Sequence, residues 1–459
     1  MSDLNPRAKQ RSTETTKALE KLVARARAVL KHNDSGTYTI PSKGLYPHQV
    51  LWDSCFVAIG RSHYDPERAK LEITRLLDSQ WSNGMIPHII FNNEARFWWD
   101  RQIWRSWVSS LSVKGLATSG ISQPPMLAEA IVRIGQQLTV PKRIVWYQSV
   151  FPQLVAYHLW FYKERDPRRE GLVVQLHPWE TGLDTSPPCM EVLHTRSWPS
   201  WLNILDNPLI GKIGNRLRVD TKFVAEGERA SNAEAVALYI LLRRLRRRKY
   251  DSSAILQDPY FAVQDITYNC ILTRANKLLS EISEAINQKI PQELQRHIAK
   301  TTNVLDGLWD KDSSAYYSRE FTSNKLIKDL SIGSLMPLYA GTISHQRAEA
   351  LVKQIEDKTS FGLKYPLPSV PANSAWFSPD RYWQGPTWVN ANWLIIDGLE
   401  RYGFDKQAKA LAGATLNLVK QSGFYEYFDP YLGTPHGTNN FSWTAALTID
   451  LVYRTYAAK

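Results

Sequence analysis

The strongest constraint on the fold is a helical period that recurs along nearly the whole chain, broken by long connections in which tryptophan collects. Residues 66–80 show the pattern. Asp65 stands as an N-cap, Pro66 takes the first helical position, and Ala69, Ile73, Leu76 and Leu77 share one face. Met126, Leu127, Ala130, Ile131 and Ile134 repeat it over 126–138. Further helices are predicted near 17–31, 145–163, 230–249, 261–286, 292–308, 345–357, 388–402, 405–420 and 442–457. Period-two alternation is scarce, and Asn-Gly or Asp-Gly turns do not punctuate the chain regularly, so the expected class is all-α. The connections 44–53, 80–104, 176–201, 361–388 and 422–443 are longer than a compact domain tolerates without a function for them. Helix pairs alternating with aromatic loops predict a ring of helices whose loops open on one face. There they form a concave, aromatic pocket dotted with a few polar groups.

Composition narrows what such a pocket receives. The chain has 459 residues, with 17 Trp and 21 Tyr. Flat rings at this density stack on the apolar faces of sugars as readily as they fill a core. No Pro/Ser-rich linker divides the sequence, so one domain over 16–459 is expected after a short disordered tail, 1–15. Cys55, Cys189 and Cys270 are far apart and in no metal-ligand spacing, which argues against a disulfide framework or a structural zinc. The N-terminal stretch has no apolar core of a secretory signal and no run is long enough to span a bilayer; a cytoplasmic protein is expected, without a membrane partner. Net charge is +12, much of it local to Arg243, Arg244, Arg246, Arg247, Arg248 and Lys249. Cations closing a helix suit its dipole. Without interleaved aromatics or a nucleic-acid module they do not call for a nucleic-acid partner, though contact with an acidic ligand or a second copy in a homo-oligomer stays open.

Two carboxylates stand out by their neighbours. Asp184 lies in HPWETGLDTSPP, where Pro178, Gly182, Pro187 and Pro188 stiffen the loop and Trp179 supplies an indole. Desolvation by such surroundings raises a carboxyl pKa, which suits a general acid. Glu426 lies in GFYEYFDPYLG between Tyr425 and Tyr427, whose hydroxyls are placed to orient it as a base. The alternative for each is a structural carboxylate in a turn. Asp429 is expected as an Asx-turn residue and Glu180 as a buttress of its own loop. No GxSxG, GxGxxG, P-loop or HExxH pattern occurs, and His48, His63, His88, His177, His194 and His436 have no metal-ligand spacing. No metal or cofactor is expected. Paired carboxylates in an aromatic pocket fit glycoside hydrolysis, where one group protonates the leaving oxygen and the other activates water.

Five segments read in order resemble the inverting α-glycosidases of glycoside hydrolase family 63, and within it the mannosylglycerate and glucosylglycerate hydrolases. They are HQVLWDSCFVAIG (48–60), SQWSNGMIPHIIF (79–91) with TSGISQPPMLAEA (118–130), HPWETGLDTSPP (177–188), PDRYWQGPTWVNANWLI (379–395) and GFYEYFDPYLGTPHGTNNFSWTAALTIDL (423–451). The resemblance implies an (α/α)6 barrel, inversion, and no catalytic metal. By position it makes Asp184 the general acid and Glu426 the general base. It gives Asp53 and Gln123 to sugar hydroxyls, Trp52, Trp179, Trp383, Trp388 and Trp443 to the pocket wall, and Tyr46 and His88 to its rim. Plain barrel packing is the alternative for the tryptophans. Gln384 stands where the family often carries arginine, which implies the loss of a cation near the pocket. Arg218 is retained as a residue able to grip a substrate carboxylate, while the family's later Arg-Pro reads Arg229-Ala230 here.

The expected activity is therefore inverting hydrolysis of a small anionic glycoside such as glucosylglycerate or mannosylglycerate, with a small carbohydrate as partner. An α-glucosidase or trehalase-like hydrolase of oligosaccharides, and a carbohydrate-binding barrel without catalysis, are the alternatives.

Overall fold

Twelve helices pair into six hairpins, and the hairpins close on themselves. In this computed structural model, which describes residues 6–207, 210, 215, 218–225 and 227–457, the helices are α1 (Pro6–His32), α2 (Leu51–Ser62), α3 (Pro66–Asp78), α4 (Leu127–Gln136), α5 (Val140–Glu164), α6 (Pro187–Ser197), α7 (Asn232–Arg247), α8 (Ile266–Ala285), α9 (Gln292–Val304), α10 (Pro337–Ala340), α11 (His345–Glu356), α12 (Val389–Arg401), α13 (Asp405–Ser422) and α14 (Ser442–Val452). An inner ring runs α2–α4–α8–α10–α12–α14, each packed on the next, and α14 packs back on α2. Each inner helix carries an outer one: α3 on α2, α5 on α4, α9 on α8, α11 on α10, α13 on α12, and α1 on α14. This is the (α/α)6 barrel. Helix α1 begins inside the stretch expected as a tail, of which residues 1–5 lie outside the described ones.

Local chemistry starts the helices where periodicity places them. Asp65 accepts a hydrogen bond from Arg68 N at 3.1 Å with Pro66 in the first turn. Ser231 and Glu234 form a reciprocal capping box at α7. Two inner helices depart from the sequence expectation. Helix α2 lies where the connection 44–53 is expected to end, and all twelve of its residues are buried. Its polar residues Asp53, Ser54, Arg61 and Ser62 are buried as well, so no solvent-facing side marks it as a surface helix. Helix α10 has only four residues, too few for a period. Helix α6 likewise occupies the second half of the connection 176–201.

Glycine permits the closest inner contacts. A β-carbon on Gly60 of α2 would lie 2.2 Å from the carbonyl oxygen of Ala446 on α14, so this seam of the ring tolerates no side chain there.

Two cations of the basic run at the end of α7, Arg246 and Arg248, bind neighbouring chain ends. Arg246 donates to the carbonyl of Ile103 at 2.7 Å, at the close of the helix Trp98–Trp104. Arg248 donates to Ala254 and Ile255 at 3.0 and 3.1 Å, at the close of Ser252–Leu256. These are the carbonyls that helix ends leave without partners. Among the described residues no helix is long and apolar enough to cross a membrane.

Candidate active site

The loops that lead into α2, α4, α12 and α14 meet at one end of the barrel, so the N-terminal turns of these inner helices sit around a common cavity. Short ladders tie the loops together. Gln49–Val50 pairs with Ile89–Ile90 and Tyr427–Phe428 with Pro435–His436. Thr387 and Phe428 exchange backbone hydrogen bonds of 2.8 and 3.0 Å. The cavity has a volume of about 380 Å³ and mostly apolar walls.

The loop bearing Asp184 is held from behind. Thr181 Oγ1 donates to Pro178 O at 2.8 Å and accepts from Leu183 N at 3.0 Å. Glu180 is the expected buttress: it accepts from Leu176 N at 2.5 Å and pairs with Arg165 at 2.7 Å. His177 accepts from Trp179 N through Nδ1 at 3.1 Å and meets Leu238 O through Nε2 at 3.0 Å, an arrangement that needs the neutral ring. Its pKa falls to about 4 through burial. Gly182 turns the loop at φ +75°, and a β-carbon there would come within 2.8 Å of the Trp52 indole. Asp184 makes no ion pair among the described residues. Burial raises its carboxyl to about 7, the Arg229 cation opposing and the Glu426 carboxyl adding to the rise.

Glu426 is set differently. The strand Tyr427–Phe428 follows it, and Glu426 N donates to Thr438 O at 3.1 Å across the hairpin. The residue is only 1% exposed. Tyr46 OH donates to Oε1 at 3.0 Å, while Arg229 Nη2 and Thr438 N donate to Oε2 at 2.5 and 3.3 Å. A carboxylate offers about four lone-pair positions, so about one remains open. Burial raises this carboxyl too, against the Arg229 cation and the three hydrogen bonds. Asp429 makes the expected Asx turn, accepting from Tyr431 N at 2.7 Å and Leu432 N at 2.9 Å.

Around these two groups the cavity is lined by Tyr46, Trp52, Asp53, His88, Gln123, Trp179, Arg218, Trp383 and Trp443. Asp53, 4% exposed, is raised well above its usual value by burial and then by the Glu426 and Asp184 carboxyls. His88 falls to about 3 by burial and is neutral. Gln123 Oε1 accepts from Trp52 N at 3.4 Å.

Two expected residues are not in the lining. Trp388 is fully buried behind it, stacked on Trp383 at 3.7 Å between ring centres; its flat face is used up in supporting the ring that does face the cavity. Gln384 is also buried, and its amide donates to Thr185 O at 2.9 Å, bracing the residue after Asp184. Arg218 is in the wall, but its fork is filled. Nε and Nη2 meet the Asp220 carboxylate at 3.0 and 2.5 Å, and Nη1 donates to Ala230 O at 2.7 Å.

Sequence reasoning passes over Arg229 and Tyr382, both of which line the cavity. Arg229 is visible there only as the arginine of an altered Arg-Pro segment, and Tyr382 only as the flank of Trp383. Nothing local marks a residue whose partners lie 183 and 197 positions away.

A closed ring of six helical hairpins with carboxyl groups at one aromatic mouth is the architecture of a glycoside hydrolase, and this chain is one. Residues 46–444 match the mannosylglycerate hydrolase MGH1-like glycoside hydrolase domain, and the chain belongs to that family. It is 36% identical to the mannosylglycerate hydrolase of Rubrobacter radiotolerans over 95% of this chain and 97% of that one. It is 30% identical to the glucosylglycerate hydrolase of Mycolicibacterium hassiacum over 94% of this chain and 97% of that one. The glycoside hydrolase family 63 mannosylglycerate hydrolase of Thermus thermophilus, solved in complex with Tris and D-glycerate, superposes with a TM-score of 0.84 at 36% identity, covering 94% of this chain and 99% of that one.

Proposed function

We propose that this protein is a cytoplasmic enzyme that hydrolyses the α-glycosidic bond of a small glycerate glycoside, glucosylglycerate or mannosylglycerate, with inversion at the anomeric carbon. The observation that carries the reading is the contrast between two carboxyl groups at one cavity. Asp184 makes no ion pair among the described residues and keeps its proton to about pH 7, while Glu426 is gripped by a cation and two further donors. Environments that push two carboxyls apart assign the acid and the base.

Asp184 transfers its proton to the glycosidic oxygen as the bond from that oxygen to the anomeric carbon breaks. Glu426 takes a proton from a water molecule whose oxygen bonds to the anomeric carbon from the opposite face. The products are glycerate and a free sugar of inverted configuration, leaving Asp184 ionised and Glu426 protonated until a proton returns. Asp53 and Gln123 meet sugar hydroxyls, and Trp52, Trp383 and Trp443 wall the ring. The cavity volume is near the low end of the roughly 300–1,000 Å³ usual for small-molecule sites, which favours a small glycoside over an oligosaccharide. The relatives' activity on glycerate glycosides supports the same choice.

Proton NMR of the first sugar released from each glycerate glycoside tests the reading. The β-anomer should appear first, and Asp184→Asn and Glu426→Gln should each lower kcat by about 10²–10⁴-fold. Initial release of the α-anomer, or full activity in either variant, would overturn it.

A further inference from the structure

Arg229 joins the base carboxylate to three phenol rings. Its residue neighbour fixes where it points: Glu228 accepts from Gly437 N at 3.0 Å and meets His436 Nδ1 at 2.7 Å, and the Glu228 carbonyl accepts from Tyr427 OH at 3.1 Å. These bonds pin position 228 to the hairpin that follows Glu426, and the next residue is thereby delivered onto the carboxylate. The Arg229 guanidinium then splits its donors, Nη2 to Glu426 Oε2 at 2.5 Å and Nη1 to Tyr46 OH at 2.7 Å, while Tyr46 itself donates to Oε1 of the same carboxylate. Its plane lies over the Tyr382 ring at 4.2 Å, with Tyr46 and Tyr427 at 5.6 and 5.8 Å. Nε is buried without a partner. Tyr382 is held at φ +34°, a region that ordinary side chains avoid, and its hydroxyl lies beside Asp184.

We infer that Arg229 is the positioning residue of this active site: seated on Tyr382 and locked to Glu426 and Tyr46, it aims the base carboxylate and opposes its protonation. The inference rests on the acid and base assignment above. A guanidinium buried among three phenol rings is poorly screened, so its charge acts strongly on whatever it touches. It is bonded to Glu426, whereas Asp184 makes no ion pair with it and feels its charge through space. The ion pair opposes protonation of Glu426. The other charged or titratable groups facing Glu426 are Asp53 from α2, Tyr46 from the first loop, Tyr382 from the loop before α12 and Tyr427 from its own strand. His436 Nδ1 is turned to Glu228 at 2.7 Å and Arg218 is paired with Asp220, so among the described residues no second cation is bonded to Glu426.

The test is the pH dependence of kcat/KM on glucosylglycerate for the wild type, Arg229→Lys and Arg229→Gln. Activity is lost at low pH as the base takes a proton. Removing the cation raises the pKa of Glu426, so Arg229→Gln should shift the acid limb upward by about one to three pH units. The alkaline limb should rise by less, because Asp184 is not bonded to Arg229. Arg229→Lys, which keeps the charge and loses the fork, should leave the acid limb near its wild-type place and lower kcat. A profile of Arg229→Gln that superposes on the wild type after scaling, or an equal acid-limb shift in Arg229→Lys, would overturn the inference. If Arg229→Gln does not fold, Glu228→Gln, which loosens the seat and keeps the cation, should lower kcat with KM little changed and no upward shift of the acid limb; an unchanged kcat counts against the inference. Glu426→Gln and the anomeric outcome, measured on the same substrate, separate this failure from failure of the acid and base assignment: full activity of Glu426→Gln sinks the latter, whatever Arg229 does.

Discussion

Asp184 illustrates how one side chain trades stability for chemistry. In the unfolded chain its carboxyl ionises near 3.8, and in the folded protein it keeps its proton to about 7. Between those values the folded state binds more protons, so this group's contribution to stability is intact below pH 3.8 and is lost as pH rises toward 7. Asparagine keeps the shape and never ionises. Asp184→Asn should therefore unfold like the wild type near pH 4 and be more stable at pH 8 by about 2–4 kcal/mol, read by chemical denaturation. Equal stability at pH 8 would show that the carboxyl is not desolvated as the structure has it. The same group predicts that wild-type activity declines as pH rises through about 7. Arg218 poses a different question at this scale, since its fork is already filled by Asp220. A glycerate carboxylate must take that place to be gripped. Charge-assisted bonds contribute about 1.5–3 kcal/mol, so Arg218→Met should raise KM for glucosylglycerate roughly 10- to 100-fold. The neutral glyceryl glucoside should be spared, and an equal loss on both would remove Arg218 from anion recognition.

At the scale of elements, burial decides what can be read from the sequence. The outer helices α3 and α11 show clear stripes because one side faces solvent, and their segments are legible. Helix α2 is buried on every side, so its Leu-Trp-Asp start reads as the end of a loop. Helix α10 is a single turn whose place is set by its neighbours in the ring. The catalytic candidates are legible because each sits in a short segment with its own turn residues and aromatics. Arg229 and the backing roles of Trp388 and Gln384 are not, because they depend on packing between segments far apart in sequence. The α2–α14 seam gives a prediction of its own. Gly60→Ala places a methyl group 2.2 Å from Ala446 O, a backbone atom that cannot turn aside. The two inner helices must separate, and overpacking of this kind costs roughly 1–3 kcal/mol. The urea midpoint should fall with no change in slope; an unchanged midpoint would mean that the seam already has slack.

The whole molecule differs from an open stack of helical hairpins because its last inner helix returns to its first. In an open array each hairpin answers only to its neighbours, and a lesion at one end leaves the other end standing. Here α1 packs on α14 and α14 on α2, so the N-terminal helix completes the final hairpin. Asn33, at the end of α1, donates to Asn440 O at 2.6 Å and Ser442 Oγ at 2.9 Å, fastening that closure at the start of α14. Opening the ring at any seam exposes apolar faces on both sides of it, and the cavity loses its walls because its loops come from four inner helices. Leu30, fully buried on α1, and Gly398, whose β-carbon would lie 2.6 Å from Leu338 C on α10, test this from different seams. Leu30→Ala removes buried contacts at a cost of about 2–5 kcal/mol, and Gly398→Ala forces two inner helices apart. Neither residue lines the cavity. In both variants the denaturant midpoint followed by tryptophan fluorescence should fall together with the midpoint for loss of activity, as one cooperative transition. If activity outlasts the fluorescence change, or fails well before it, in either variant, the hairpins unfold piecemeal and the ring is not the unit of stability.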